Sequence, residues 1–305
     1  MQDKHLNLGL GAVVISVLAM TALSAKAVGI ASGQPSGTNY PMVEDIVKVC
    51  SRPDAPITNV VSDGSIDNLN KVYQDPSAQF GIVQTDAAKY QQGVDPQMMK
   101  KIVMVFPFFS TEIHLVAKDG SAINSLADLA GKRVVEGPEG SGTWVTVQVL
   151  KQLTGLKWQA FYASQVDGTR AVAAGQADAE FIVAGAPVKV IRETAGVKLV
   201  SIKDPKLDSF ALYTKAMLST ALYPGQKAAV NTYKVDNMLV TFAFKTEKQK
   251  EIGDLVTCIA RNIEKMQTTA GFHPKWRDVD PTDITRIQWP AHPAAVAAIK
   301  RETHK

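Results

Sequence analysis

The chain reads as an α/β protein assembled from two blocks of strand–turn–helix units. Short apolar runs rich in β-branched residues end in turns of Gly, Ser, Thr or Asp. Each turn opens a segment whose apolar residues recur at helical spacing. The alternation is broken by extended segments and restarts at Lys132. Repeated units of this kind predict a parallel sheet with helices on its faces. The turns then collect at the carboxyl edge of the sheet, where open α/β folds bind ligands.

The chain opens with Met1-Gln2-Asp3-Lys4-His5, an apolar run from Leu6 to Leu23, and Ser24-Ala25-Lys26-Ala27. A basic start, an apolar centre and an Ala-x-Ala exit mark residues 1–27 as a secretory signal peptide, cleaved after Ala27. No later apolar run is long enough to span a bilayer, so the mature chain is expected to be soluble and exported.

Val28 to Ser32 is the first strand, Gly33 to Gly37 a turn, and Thr38 caps a helix running toward Cys50. Ile57 to Ser62 is a second strand, and Asp63-Gly64-Ser65 turns it into a helix ending near Tyr73. Phe80 to Gln84 is a third, with Asp86 as the cap of the next helix. Ile102–Phe106 and Glu112–Ala117 read as separate strands, followed by a helix over Ser125–Ala130. The second block runs through strands at Lys132–Val135, Gln159–Tyr162, Ala179–Val183 and Lys198–Ile202. Its helices fall at Trp144–Leu153, Gly168–Gly175 and up to Thr194. An extended run, Asn237–Phe244, precedes a long helix from Glu247 to Thr268 with Ile252, Leu255, Val256, Ile259, Ile263 and Met266 on one face. A short helix closes the tail within Pro290–Glu302.

The formal charge of +4 over 305 residues falls to +3 once Lys4, Lys26 and Asp3 leave with the signal peptide. With no Lys/Arg cluster interleaved with aromatics, nucleic acid is excluded as a partner. The five histidines are scattered, with no Cys or second His at ligand spacing, so no metal site is expected. Cys50 and Cys258 are the only cysteines; an oxidising compartment permits a disulfide, and a buried thiol at Cys258 fits the sequence equally well.

The stretch with most chemical content is Glu136-Gly137-Pro138-Glu139-Gly140-Ser141-Gly142-Thr143, a glycine-rich turn from strand to helix. Glycines let backbone approach a ligand, and the first amides of a helix lack internal partners and favour an anion. A phosphate-binding Walker loop spanning Gly137 to Gly142 would need Lys next, where Thr143 stands. The spacing 137, 140, 142 also misses the dinucleotide fingerprint G-x-G-x-x-G. The turn therefore reads as a cradle for a carboxylate, with Ser141 and Thr143 adding hydroxyls. With no G-x-S-x-G elbow and no nucleophile–base pair in view, neither an enzyme nor a cofactor is expected.

These turns, in this order, resemble the TAXI family, the extracytoplasmic solute receptors of one branch of TRAP transporters. The residues that carry the resemblance are Gly37-Thr38-x-Tyr40-Pro41, Ser62-x-Gly64-Ser65-x-x-Asn68-Leu69 and Gly81-Ile82-Val83-Gln84-x-Asp86. Glu112-x-His114-Leu115-Val116, the run from Leu126 through Gly137-Pro138-x-Gly140-Ser141-Gly142-Thr143, Ala184-Gly185-x-Pro187, Tyr223-Pro224 and His292-Pro293 extend it over nearly all of the mature chain. The first loop departs from the family's glycine-richer Gly-Gly-Thr-Tyr-Tyr pattern, reading Ser32-Gly33-Gln34-Pro35-Ser36-Gly37-Thr38-Asn39-Tyr40.

The resemblance implies a monomeric, two-lobed periplasmic binding protein of type II, with its ligand cleft between the lobes. It implies one lobe of residues 28–116 plus 236–305 and another of 117–235, joined by crossovers near 112–118 and 233–244. It further implies a small carboxylate ligand, such as glutamate or a related dicarboxylic acid, handed to TRAP membrane subunits from the periplasm. Carried onto this sequence, the ligand-binding residues are Gly37, Thr38, Tyr40, Gly64, Ser65, Asn68, Gln84, Asp86, Gly140, Ser141, Gly142, Thr143, Gly185 and Pro187. Asp86 and Glu139 are the candidate partners for a ligand ammonium. Beside the transport receptor stand two other readings: a periplasmic sensory binding protein, and a secreted enzyme on the same scaffold.

Overall fold

A computed structural model of the protein describes residues 27–243 and 249–303, so the signal peptide, except its last residue, lies outside the described part. The chain begins with three strand–helix units: β1 (Val28–Ala31), α1 (Asn39–Cys50), β2 (Ile57–Val60), α2 (Ser65–Gln74), β3 (Phe80–Gln84) and α3 (Thr85–Val94). A one-turn α4 (Pro96–Met99) leads into β4 (Ile102–Lys118). The second block holds β5 (Arg133–Val135), α5 (Gly142–Thr154), β6 (Gln159–Phe161), α6 (Gln165–Ala174), β7 (Ala179–Ala184), α7 (Lys189–Glu193), β8 (Val197–Val200), α8 (Pro205–Asp208) and β9 (Tyr213–Leu218). The long β10 (Val230–Phe242), α9 (Gln249–Thr268) and α10 (Pro293–Thr303) complete the chain.

The strands lie in the order β2-β1-β3-β10-β4-β7-β5-β6, with β8 added to β4 and β9 to β10. Within each block the pairing is parallel, as the strand–turn–helix rhythm predicts: β1 with β2 and β3, and β5 with β6 and β7. The all-parallel expectation fails in the middle. There β10 runs antiparallel to β3, β4 and β9, and β4 runs antiparallel to β7 and β8.

Two long strands therefore carry the chain between two lobes. Phe106, Phe108 and Phe109 of β4 pack with α1, α9 and Trp276, whereas Ile113, Leu115 and Ala117 of the same strand pack with Val134, Val147 and Phe181. In β10, Tyr233 and Val235 join the second of these cores and Leu239 joins the first. The change of core coincides with a register irregularity between Asp236 and Met238, opposite Ser110 and Pro107. The irregularity adjoins Pro107, and β4 runs unbroken where the sequence suggested two strands, Ile102–Phe106 and Glu112–Ala117.

The apolar stripe of α9 is buried as its spacing dictates, with Ile252, Leu255, Val256, Ile259 and Met266 inward. Cys50, at the end of α1, forms a disulfide with Cys258 of α9, the Cα atoms 5.9 Å apart. The expected helix at Ser125–Ala130 is a single 3-10 turn, Leu126–Leu129, with a capping box from Ser125 and Asp128. Strand β9 was not expected; it borders β10, which begins seven residues before the predicted Asn237. Among the described residues no helix is long and apolar enough to cross a membrane.

Candidate functional site

The turns that follow the parallel strands meet between the lobes around a cavity of about 130 Å³. From the first lobe come Ser36, Gly37, Thr38 and Asn39, the Gly64–Ser65 pair, and Gln84. The second lobe supplies Gly137, Ser141, Gly142 and Thr143, then Ser164 and Gln165, with Phe181 and Val183 as an apolar side. Thr111 of β4 and Asn237 of β10 contribute from the crossover strands.

This placement aims helix ends at one point. Asn39, Ser65, Gly142 and Gln165 are the first residues of α1, α2, α5 and α6, and Gln84 immediately precedes α3. A helix N-terminus carries about half a positive charge and unpaired amides, so five of them make a strongly anion-favouring field. Among the described residues no Lys, Arg or His lines the cavity. One acid among the described residues lies on the wall, Asp63, which is exposed and accepts from Gln34 Nε2 at 2.9 Å.

The hydroxyls are oriented by the backbone. Ser141 caps α5, its Oγ accepting from the Trp144 N–H at 3.1 Å. Thr143 Oγ1 accepts from the Val183 N–H at 3.0 Å, and Ser65 Oγ from the Gln84 N–H at 3.2 Å. In each case the oxygen accepts from the scaffold and the hydroxyl proton is left to donate. Behind the turn, the buried Glu136 carboxylate accepts from Lys151 Nζ, from Gln148 Nε2 at 2.9 Å and from Trp158 Nε1 at 2.6 Å. This anchors the strand end from which the turn springs.

The lobes touch across the cavity. Thr38 Oγ1 accepts from the Gly185 N–H at 3.1 Å, Gln165 Nε2 donates to the Ser36 carbonyl, and the Ile66 N–H donates to the Gly140 carbonyl at 3.2 Å. Glycine at 142 is what lets the walls meet. A Cβ there would lie 1.7 Å from Gln84 Oε1 and 3.2 Å from Ser65 Oγ.

Of the residues carried over from the sequence, Gly37, Thr38, Gly64, Ser65, Gln84, Ser141, Gly142 and Thr143 lie on the cavity wall. The others do not. Tyr40 is half-buried outside it, its carbonyl accepting from Asn59 Nδ2 at 3.0 Å. Asn68 is fully buried and ties strand ends together, donating to the carbonyls of Ser32 at 3.2 Å and Ile82 at 2.7 Å. Gly140 shapes the turn with φ of 78° and offers its carbonyl to Ile66. Gly185 stands on the cross-lobe contact to Thr38, and Pro187, after a cis peptide bond, lines an outer groove beside Arg170 and Lys189.

Asp86 is the clearest displacement. It neither caps α3, which begins at Thr85, nor reaches the cavity. Its Oδ2 accepts from the hydroxyls of Thr146 at 2.7 Å and Tyr213 at 2.9 Å, both from the second lobe. Burial raises its carboxyl above the usual range, against the pull of those hydrogen bonds. Glu139, the other candidate partner for an ammonium, is exposed and off the wall. His114 packs between β7 and Tyr223, its Nδ1 3.1 Å from the Ile182 carbonyl and its Nε2 2.7 Å from the Tyr223 hydroxyl. Burial lowers its pKa to about 4, so the ring is neutral near pH 7.

Sequence reasoning missed Thr111, Asn237, Ser164 and Gln165. The last two had a visible signal. Ser164-x-x-Asp167 is a helix-start signature, and Ser164 Oγ accepts from the Asp167 N–H at 3.2 Å, which starts α6 three residues earlier than predicted. Thr111 and Asn237 lie inside strands, where nothing local marks a ligand wall.

Two α/β lobes, joined by paired long strands and enclosing a cleft rimmed by helix N-termini, define the fold of a periplasmic binding protein. The chain belongs to the NMT1-like family, which it matches over residues 30–300. Solved structures of similar fold include one described as a periplasmic transporter, 13% identical, covering 93% of this chain and 94% of that one with a TM-score of 0.55. Another comes from work on glutathione import via GshT and the cystine ABC importer TcyBC of Streptococcus mutans. It is 14% identical and covers 85% of this chain and 100% of that one, TM-score 0.51. A third is the putative sulfonate-binding protein SsuA of Methylobacillus flagellatus, 15% identical, covering 92% and 77%, TM-score 0.50. At such identities the likeness is one of fold.

Proposed function

We propose that this chain is an extracytoplasmic solute-binding receptor that captures a small carboxylate and delivers it to the membrane subunits of a transporter. The observation that carries the reading is the convergence of five helix N-termini on a cavity that no cationic side chain among the described residues lines. Helix ends and hydroxyls suffice for a carboxylate, whereas phosphoryl and sulfonyl groups more often meet an arginine fork. Size argues the same way: about 130 Å³ is well under the several hundred Å³ of pockets for drug-sized ligands. On this reading residues 28–116 plus 236–305 form one lobe and 117–235 the other. Ser65, Ser141, Gly142 and Thr143 bind the carboxylate. The order of turns favours a TRAP transporter of the TAXI type. Two solved structures of similar fold come from ABC importer systems, which makes an ATP-driven permease the alternative partner.

Asp86 is spent inside the protein and Glu139 is turned to solvent, while the acid on the wall, Asp63, is exposed and engaged by Gln34, so keto and hydroxy dicarboxylates stand level with glutamate. The test is a thermal-shift panel of glutamate, glutamine, 2-oxoglutarate, succinate, malate and a sugar phosphate. A true ligand at a hundredfold excess over its dissociation constant stabilises by about 2.7 kcal/mol. A shift with the sugar phosphate alone would sink the carboxylate reading. Uptake in vesicles driven by an ion gradient without ATP separates the two permease types.

A further inference from the structure

Asn237 is fully buried on β10 and lines the cavity. Its Nδ2 donates to the Phe109 carbonyl at 3.1 Å and to Thr111 Oγ1 at 3.3 Å. The Phe109 carbonyl accepts only, so a flipped amide would set oxygen against oxygen, and the side chain is fixed in this sense. Its Oδ1 is then a buried acceptor with no partner among the described residues.

Thr111 orients a second amide, because its hydroxyl donates to the Val235 carbonyl at 3.4 Å and is left to accept. Gln84 Nε2 donates to Thr111 Oγ1 at 3.2 Å, which turns Gln84 Oε1 toward Gly142. A third wall residue, Asn39, also has a buried side-chain oxygen without a partner among the described residues. The residues of the wall thus bring two kinds of group: helix ends that donate, and amide oxygens that are left to accept. A buried acceptor left unmatched costs about as much as a lost hydrogen bond, so a ligand that brings only oxygens leaves part of the wall unsatisfied.

We infer that Asn237 is a specificity-determining residue whose Oδ1 receives a hydrogen-bond donor carried by the bound carboxylate. The cavity then selects small carboxylates bearing an ammonium or hydroxyl over those bearing neither. This rests on the carboxylate reading above. It differs from recognition by an acid: the acceptors are neutral amides, so an ammonium and a hydroxyl are both admitted.

The test is calorimetric titration of the mature protein with two matched pairs, L-glutamate against glutarate and L-malate against succinate. In at least one pair the member with the donor should bind roughly tenfold tighter or more. Asn237→Leu, similar in volume and without the acceptor, should bring that ratio to within about threefold. A melting curve shows that the variant is folded, and Asn237→Ala carries the same comparison if it is not. Equal binding within both pairs by the unmodified protein overturns the inference and leaves the carboxylate reading standing. Failure of all four to bind, with a sugar phosphate binding instead, overturns both. An undiminished ratio in a folded Asn237 variant removes Asn237 from the role.

Discussion

Gly142→Ala separates folding from binding. A methyl at this position would lie 1.7 Å from Gln84 Oε1 and 2.7 Å from its Cδ. Comfortable contact needs about 3.5 Å, so the shortfall is nearly 2 Å. Gln84 cannot simply swing aside, because it is buried and its amide is held by Thr111. Gly142 belongs to α5 and Gln84 to the end of β3, so the methyl acts as a wedge between lobes. Within α5 the change is favourable: Gly142 is the first helical residue, its φ is not positive, and Ala is preferred over Gly in a helix by about 0.5–1 kcal/mol. The two effects oppose each other in different states. The clash lies across the contact between the lobes, so we expect the free protein to relieve it by parting them, with stability changed by no more than about 1 kcal/mol, whereas holding the lobes together around a ligand carries an overpacking cost of about 1–3 kcal/mol. Affinity for the carboxylate that best stabilises the unmodified protein should therefore fall roughly five- to hundredfold. Calorimetry gives the affinity, and small-angle scattering with and without ligand gives the closure. A dissociation constant within a factor of two of the parent, with the same compaction, would refute the wedge.

Two further expectations concern stability. Cys50 and Cys258 are 208 residues apart, and cross-linking so long a loop is worth about 5 kcal/mol in the chain-entropy account. The double Cys→Ser variant should show a much lower urea midpoint; one unchanged from the oxidised parent would count against it. Glu180 is buried, its Oε2 accepting from the Thr169 hydroxyl at 2.6 Å, and burial holds its carboxyl well above the ordinary 4.5. The native state then keeps a proton that the unfolded chain has released, so this group is least costly at low pH and stability falls as pH rises above that ordinary value. Glu180→Gln should flatten the decline in urea midpoint between roughly pH 5 and 8, and parallel curves for variant and parent would exclude Glu180 as its source.

What the sequence determined by itself is what short-range physics controls. The stripe on α9, the turns after β1, β2 and β3, and the Ser141 cap of α5 are each set by residues within a turn or two of one another. Since the cavity wall is built from those turns, most of its rim was legible, from Gly37 to Thr143. Tertiary structure decided whatever depends on the chain returning to meet itself. Asp86 sits in a motif that suits a ligand, yet Thr146 and Tyr213, brought from the other lobe, consume its oxygen. Ile102–Phe106 and Glu112–Ala117 read as separate strands, yet pairing with β10 carries β4 unbroken from one to the other. Thr111 and Asn237 became cavity residues only because β4 and β10 cross between the lobes side by side. Local periodicity fixes which face of an element is apolar; it carries no information about which distant hydroxyl or amide that face will meet.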